Sequence, residues 1–199
     1  MLEISHSELE LLTDPELFQR KNKLTNAIIQ LLGELNYRLE RNSTLQHAIE
    51  KFQLPSIKGK VSRGENYLGY PWQILDYPRV FEKENVFAFR NLFWWGNFFS
   101  STLHLSGKYF DQASSLIFKN LPLISNDKML ICVNDNQWHH HLNENNYRKL
   151  SEIINSKEEV EWIQEKKFIK LCIPHPLSEF ENTFNHAESS LEEFLKIIA

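Results

Sequence analysis

An α+β fold, with a mainly antiparallel sheet built around a central β-hairpin at about 86–106 and helices packed at its sides, is what this sequence predicts. Three observations carry that expectation. The stretch Phe89–Gly107 alternates large apolar and small polar residues on both sides of Gly96-Asn97, the pattern of two strands joined by a tight turn. Apolar residues at helical spacing dominate the first quarter of the chain and its last twenty residues. Between these lie short apolar strand-like runs near 129 and 168, with no regular βαβ units to suggest a parallel sheet.

The length of 199 residues fits a single domain, with residues 1–54 as a helical segment packing on, or projecting from, a body at 55–199. Ser5 and Glu8 have the spacing of a capping box, and Leu9, Leu11 and Leu12 supply a short apolar turn. Asp14 before Pro15 suits an N-cap followed by proline at the first helical position. From there Leu17, Leu24, Ile28, Leu31, Leu35 and Leu39 form the stripe of one long helix, to about Arg41. At ~1.5 Å per residue it spans ~40 Å, so one end projects or packs against a second subunit, and a homodimer through this helix is expected in the latter case. Ser43 and Gln46 resemble another capping box, opening a helix through Leu45, Ile49 and Phe52 that stops before Pro55.

Residues 55–85 are punctuated by glycine and proline yet hold Tyr67, Tyr70, Trp72, Tyr77 and Phe81. A covering loop with a strand near Trp72–Leu75 hidden in it is expected, and either tyrosine-proline bond can be cis. In the hairpin, a two-residue Gly96-Asn97 turn sets Trp95 opposite Phe98, Asn91 opposite Thr102 and Phe89 opposite His104. That register gathers Asn91, Ser100, Thr102 and His104 into a polar strip on an aromatic face and puts Arg90 on the other, with both faces covered. A helix follows Gly107, ending at Leu121-Pro122. Then come a strand at Met129–Val133 with Gln137–His141 as its hairpin partner, a helical stretch at 145–164, and a strand at Phe168–Ile173 ended by prolines. Ser178 and Glu181 suggest a capping box for the last helix, whose buried side is Phe180, Phe184, Leu191, Leu195 and Ile198.

The net charge of −4 with mixed signs leaves no broad basic surface for nucleic acid. No run approaches the ~18 apolar residues of a membrane span, and the first residues lack a secretory pattern. Cys132 and Cys172, each inside an apolar run, read as reduced buried thiols, and a cytoplasmic location is expected. Glycine-rich phosphate loops, nucleophile elbows and cysteine-pair zinc motifs are all missing, so no cofactor follows from the sequence.

Chemistry concentrates in three places. Arg90, Asn91, Thr102 and His104 on the hairpin, with Arg63, Tyr70 and Trp72 from the preceding loop, form a candidate ligand pocket. Rings exclude water there, a few polar groups orient a ligand, and an arginine, permanently charged, requires a carboxylate, a phosphate or an aromatic face. The bland counterpart is a core in which Arg90 pairs with Asp76 or Glu82 and His104 is an ordinary buried histidine. His139 and His141 lie on one face of a strand, with His104 as a third ligand, and offer a candidate metal site. The basic stretch Lys58-Gly59-Lys60-Val61-Ser62-Arg63 supplies one wall of the pocket. The expected function is a binding module for a small anionic molecule; the alternatives are a metal-assisted hydrolase or oxygenase using the histidines, and a helix-mediated interaction protein.

Overall fold

A computed structural model describes residues 3–56, 58–124 and 127–198. The order of elements is α1 (His6–Thr13), α2 (Pro15–Glu40), α3 (Ser43–Lys51), β1 (Lys60–Tyr67), β2 (Tyr70–Phe81), β3 (Val86–Trp94), β4 (Phe98–Ser106), α4 (Lys108–Asn120), β5 (Leu130–Cys132), β6 (Tyr147–Lys149), α5 (Leu150–Ile154), α6 (Lys157–Glu165), β7 (Phe168–Pro176) and α7 (Thr183–Ile198), with 3-10 turns at Leu121–Leu123 and Leu177–Asn182. The fold is α+β. One seven-stranded sheet runs β1-β2-β3-β4-β7-β5-β6, with every pair antiparallel.

The helices share one face of that sheet because each carries a single apolar stripe. Thr25, Ile28, Leu32, Leu35 and Leu39 of α2, Tyr109, Phe110, Ala113 and Ile117 of α4, and Leu191, Phe194, Leu195 and Ile198 of α7 are buried. They meet Leu75 and Val80 of β2, Phe87, Phe89 and Phe93 of β3, Phe99, Leu103 and Leu105 of β4, and Ile169, Leu171 and Ile173 of β7 in one core. Among the described residues the other face carries no helix. Residues 133–146 cross it as a strap.

Several local expectations need correction. The covering loop at 55–85 is instead the long β1–β2 hairpin, because Tyr70 to Phe81 extends into β2 through two proline-preceding residues held in extended geometry, with Tyr77-Pro78 cis. The N-cap of α3 is Asn42, whose Oδ1 accepts the Leu45 N–H; Gln46 points away and donates to Glu40 O and Tyr77 Oη. Gln137–His141 is not a strand. The partner of β5 is β6, since Asn134 Oδ1 accepts the Asn136 N–H and turns the chain early, sending 137–141 across the sheet. The proposed Ser178–Glu181 box is replaced by a 3-10 turn leading into α7.

The hairpin itself is slipped by one residue. Its loop is three residues, Trp95 to Asn97, so Trp94 faces Phe98, Asn91 faces Ser101, Arg90 faces Thr102 and Ala88 faces His104. The cause lies on the neighbouring strand. Trp95 stays with β2, its N–H donating to Pro71 O and its indole Nε1 to Gln73 Oε1, and only Gly96 takes positive φ (68°) to close the turn.

Candidate functional site

A one-residue slip moves every side chain of β4 to the opposite face relative to β3. Arg90 therefore joins Thr102 and His104 instead of opposing them, and Asn91 leaves them. Asn91 sits fully buried on the helix-covered face, with Oδ1 accepting the Ser101 hydroxyl. On the helix-free face a cross-strand row reads Lys60, Asp76, Arg90, Thr102, Cys172 from β1 to β7. The next row reads Arg79, Ala88, His104, Lys170. These nine residues place four cations, one acid and one imidazole in a band across five strands.

Arg90 is held by Asp76 in a bidentate pair, Nε to Oδ1 at 2.7 Å and Nη2 to Oδ2 at 3.0 Å. Its Nη1 donates to His140 Nε2 at 3.1 Å, and the guanidinium carbon lies 5.5 Å from the Phe81 ring centroid. The ion-pair expectation for Arg90 is met by Asp76, and beside that pair a cleft opens. Lys60, Ser62, Asp76, Arg79, Phe81, Arg90 and Trp138 line about 290 Å3. Phe81 and Trp138 are partly exposed and touch, with centroids 6.1 Å apart. Arg79 Nε donates to Lys58 O; neither Arg79 nor Lys60 has a carboxylate partner among the described residues.

The strap closes the band on the β4–β7 side. Lys170 Nζ donates to the carbonyls of Gln137 (3.1 Å) and His139, with no carboxylate against it. His104 Nε2 donates to Gln137 Oε1 at 2.6 Å, and the Trp138 indole meets the His104 ring edge-on. Tyr67 Oη accepts the His140 N–H at 2.7 Å and the His141 N–H at 3.3 Å, and lies 3.0 Å from His141 Nδ1. Burial, with Lys170 and Arg90 adding to it, pushes the His104 imidazole down to about 3 and holds His140 well below its ordinary range. Burial likewise lowers Lys170 to about 8 and raises the Cys172 thiol to about 11, which leaves the thiols inert.

The remaining sequence-predicted residues lie elsewhere. Arg63 pairs in register with Gln73, which puts it on the helix side of β1 and away from the cleft. Trp72 covers Gly64 and packs with Ile74, Leu92 and Trp94; Tyr70 is exposed at that end of the sheet, edge-on to Trp94. His139 and His141 have ring centroids 5.2 Å apart, but His104 is turned to Gln137 and does not join them. Among the described residues no group of three or more His, Cys, Asp or Glu side chains is placed to hold a metal ion, so the expected convergence is not formed. The strap breaks it, because residues that leave the sheet lose the strand alternation that aligned them. Of the cleft residues, Lys60 and Ser62 belong to the basic stretch expected as one wall of the pocket, and Trp138 is the ring that the expected pocket did not include.

Comparison with family models, with curated proteins and with solved structures found no match. No helix among the described residues is long and apolar enough to cross a membrane.

Proposed function

We propose that this protein is a binding module for a small organic anion, seated in the cleft between Arg79, Lys60 and the Phe81–Trp138 rings. The observation that carries the reading is the charge count. Asp76 is neutralised by Arg90, which leaves Lys60 and Arg79 facing the same hollow without a carboxylate of their own. Two such cations beside exposed rings match the few polar groups and apolar walls of a small-molecule site. A cation at this spot attracts an anion, and the rings supply the apolar contact that makes a flat ligand better than a bare ion. Arg90 sets the floor, held in place by Asp76 and His140. His104 lies beneath the strap and acts on the ligand only by holding Trp138 in position, and Thr102 is buried.

The histidines support no metal-assisted reaction, since His104 is occupied by Gln137. In the cleft, Ser62 has no imidazole or carboxylate hydrogen bond among the described residues to activate it, and Asp76 is held by Arg90.

The test is a thermal-shift and calorimetric survey with inorganic phosphate, aromatic carboxylates and nucleoside phosphates as probes. Arg79→Ala and Lys60→Ala should each weaken binding about tenfold, the loss of one charge-assisted hydrogen bond, while Arg63→Ala leaves it unchanged. Binding insensitive to Arg79 and Lys60, or no binding of any probe, would overturn the reading.

A further inference from the structure

We infer that the ligand of the cleft is a phosphate monoester, a doubly charged phosphate joined to one small flat group, and that Ser62 is a third donor to it; this rests on the reading of the cleft as a small-anion site. The charged side chains of the lining are Lys60, Asp76, Arg79 and Arg90, and because Asp76 and Arg90 cancel, two positive charges are left over. Glu82, the next acid along the chain, is engaged by Asn85 Nδ2 at 3.1 Å and by Lys108 at 3.5 Å. His140, which meets Arg90 from the strap, accepts from it and adds no charge. A monocarboxylate would answer one of the two free cations. A phosphate monoester carries close to two negative charges at neutral pH on a single group.

The kinds of donor on offer point the same way. A planar carboxylate is best matched by an arginine fork. The fork of Arg90 is closed on Asp76, and Arg79 spends its Nε on Lys58 O, which leaves only its two terminal nitrogens. Lys60 is a point charge with three donors on a flexible stem. Ser62 lies two residues from Lys60 on β1 and therefore on the same face, and its hydroxyl has no protein partner among the described residues. An ammonium, a guanidinium end and a hydroxyl, brought together from two strands, suit a tetrahedral group with three acceptor oxygens better than a planar group with two.

The apolar wall fixes the rest of the ligand. Phe81 and Trp138 have centroids 6.1 Å apart and planes tilted by 49°, too close and too inclined to take a ring between them, so they make one continuous surface. The cleft of about 290 Å3 lies at the lower end of the roughly 300 to 1,000 Å3 of small-molecule sites, which is room for a phosphate and one ring system.

Titration calorimetry on the full chain with phenyl phosphate and phenyl sulfate tests this, because the two share ring and shape while the sulfate keeps a single charge. At about pH 8 phenyl phosphate should bind about tenfold more tightly, and at about pH 5, below its second ionisation near 6, the two should agree within about twofold. Lys60→Ala should bring the preference at about pH 8 below about threefold, and Ser62→Ala should weaken phenyl phosphate about fivefold with the unfolding midpoint unchanged. Adenosine monophosphate and a phosphotyrosine amide distinguish a nucleotide from a phosphorylated side chain as the source of the monoester, and tighter binding of either one than of phenyl phosphate supports the proposal. The proposal is overturned if phenyl sulfate or benzoate binds as tightly as phenyl phosphate at about pH 8 while binding still depends on Arg79, a result that leaves the small-anion reading standing. It is also overturned if Ser62→Ala leaves phenyl phosphate binding unchanged. If no probe binds, both readings fail.

Discussion

Arg90 Nη1 lies 3.1 Å from Nε2 of His140, and this contact dictates the state of the imidazole. A guanidinium has only donors to offer, so Nε2 must accept, and the ring is the neutral tautomer with its proton on Nδ1. His104 is fixed in the opposite tautomer, because its Nε2 faces the Gln137 carbonyl oxygen. Two uncharged imidazoles, in opposite tautomers, hold the strap onto a row of cations.

Acid should therefore loosen the strap. In the unfolded chain both imidazoles take a proton near pH 6.5; in the fold His104 resists to about 3 and His140 also lies far below its ordinary range. The unfolded state then binds more protons, and stability falls as pH drops below about 6.5, by roughly 1.4 kcal/mol per pH unit for His104 as far as about 3, with His140 adding to the fall. Urea denaturation at a series of pH values measures the slope. His104→Gln should reduce it by roughly 1.4 kcal/mol per pH unit, and an unchanged slope would show that the strap is not held by this ring.

Lys170 sets a second window, at the alkaline end. Its ammonium is depressed to about 8 by burial, against an ordinary value near 10.5, so the unfolded chain again binds more protons between those values. Lys170 should therefore add a rise in stability with pH across about 8 to 10.5, opposed above about 9 by the raised Cys172 thiol, and Lys170→Met should make the slope across that window less positive. In that variant the Gln137 and His139 carbonyls lose a donor while a buried charge is removed, two effects that oppose each other at pH 7.

Removing the acid under the cleft should be costly. Asp76→Asn leaves the partly buried Arg90 without its counter-ion, and a loss of about 2 kcal/mol is expected by chemical denaturation, below the value for a fully buried pair. Adding Arg90→Met should recover part of that loss, because the two residues act as one unit. Strict additivity of the two changes would mean the pair is not coupled.

Two glycines separate conformational from steric demands. At Gly96, with φ of 68°, a methyl group has room, its nearest neighbour being the Tyr70 ring at 3.6 Å; Gly96→Ala should cost about 1 kcal/mol. At Gly107, with φ of 54°, a methyl would meet Asn85 Oδ1 at 2.4 Å and the Glu84 carbonyl oxygen at 2.6 Å. That backbone oxygen cannot step aside, so Gly107→Ala should be the more damaging by thermal denaturation.

What was legible in the sequence follows from the range of the forces involved. The α2 cap at Asp14 and the stripe of Ile28, Leu35 and Leu39 are local, and the structure has them where spacing and capping chemistry place them, whereas Leu17 and Leu24 of the expected stripe are exposed because the sheet ends short of them. Arg90 announced itself as an arginine among apolar residues that needed a partner, and Asp76 is one of the two named. The hairpin register was not legible, because it depends on Trp95 remaining with β2, a contact between residues far apart in the chain. From that single slip come the departure of Asn91 and the arrival of Arg90 beside His104. The strap was hidden for the same kind of reason. Gln137–His141 alternates like a strand, and only the competing pairing of β5 with β6 removes it from the sheet.

The measurement that tests the central claim most directly is a nitrogen-proton correlation NMR titration with an aromatic carboxylate and with phosphate, read at the tryptophan indoles and arginine Nε–H groups. The Trp138 indole and Arg79 Nε–H should shift first and saturably. The Trp94 and Trp95 indoles, held by Tyr67 O and Gln73 Oε1, should stay still. Shifts confined to Arg63 and the Tyr70 end of the sheet, or none at all, would contradict the assignment of this cleft as the binding site.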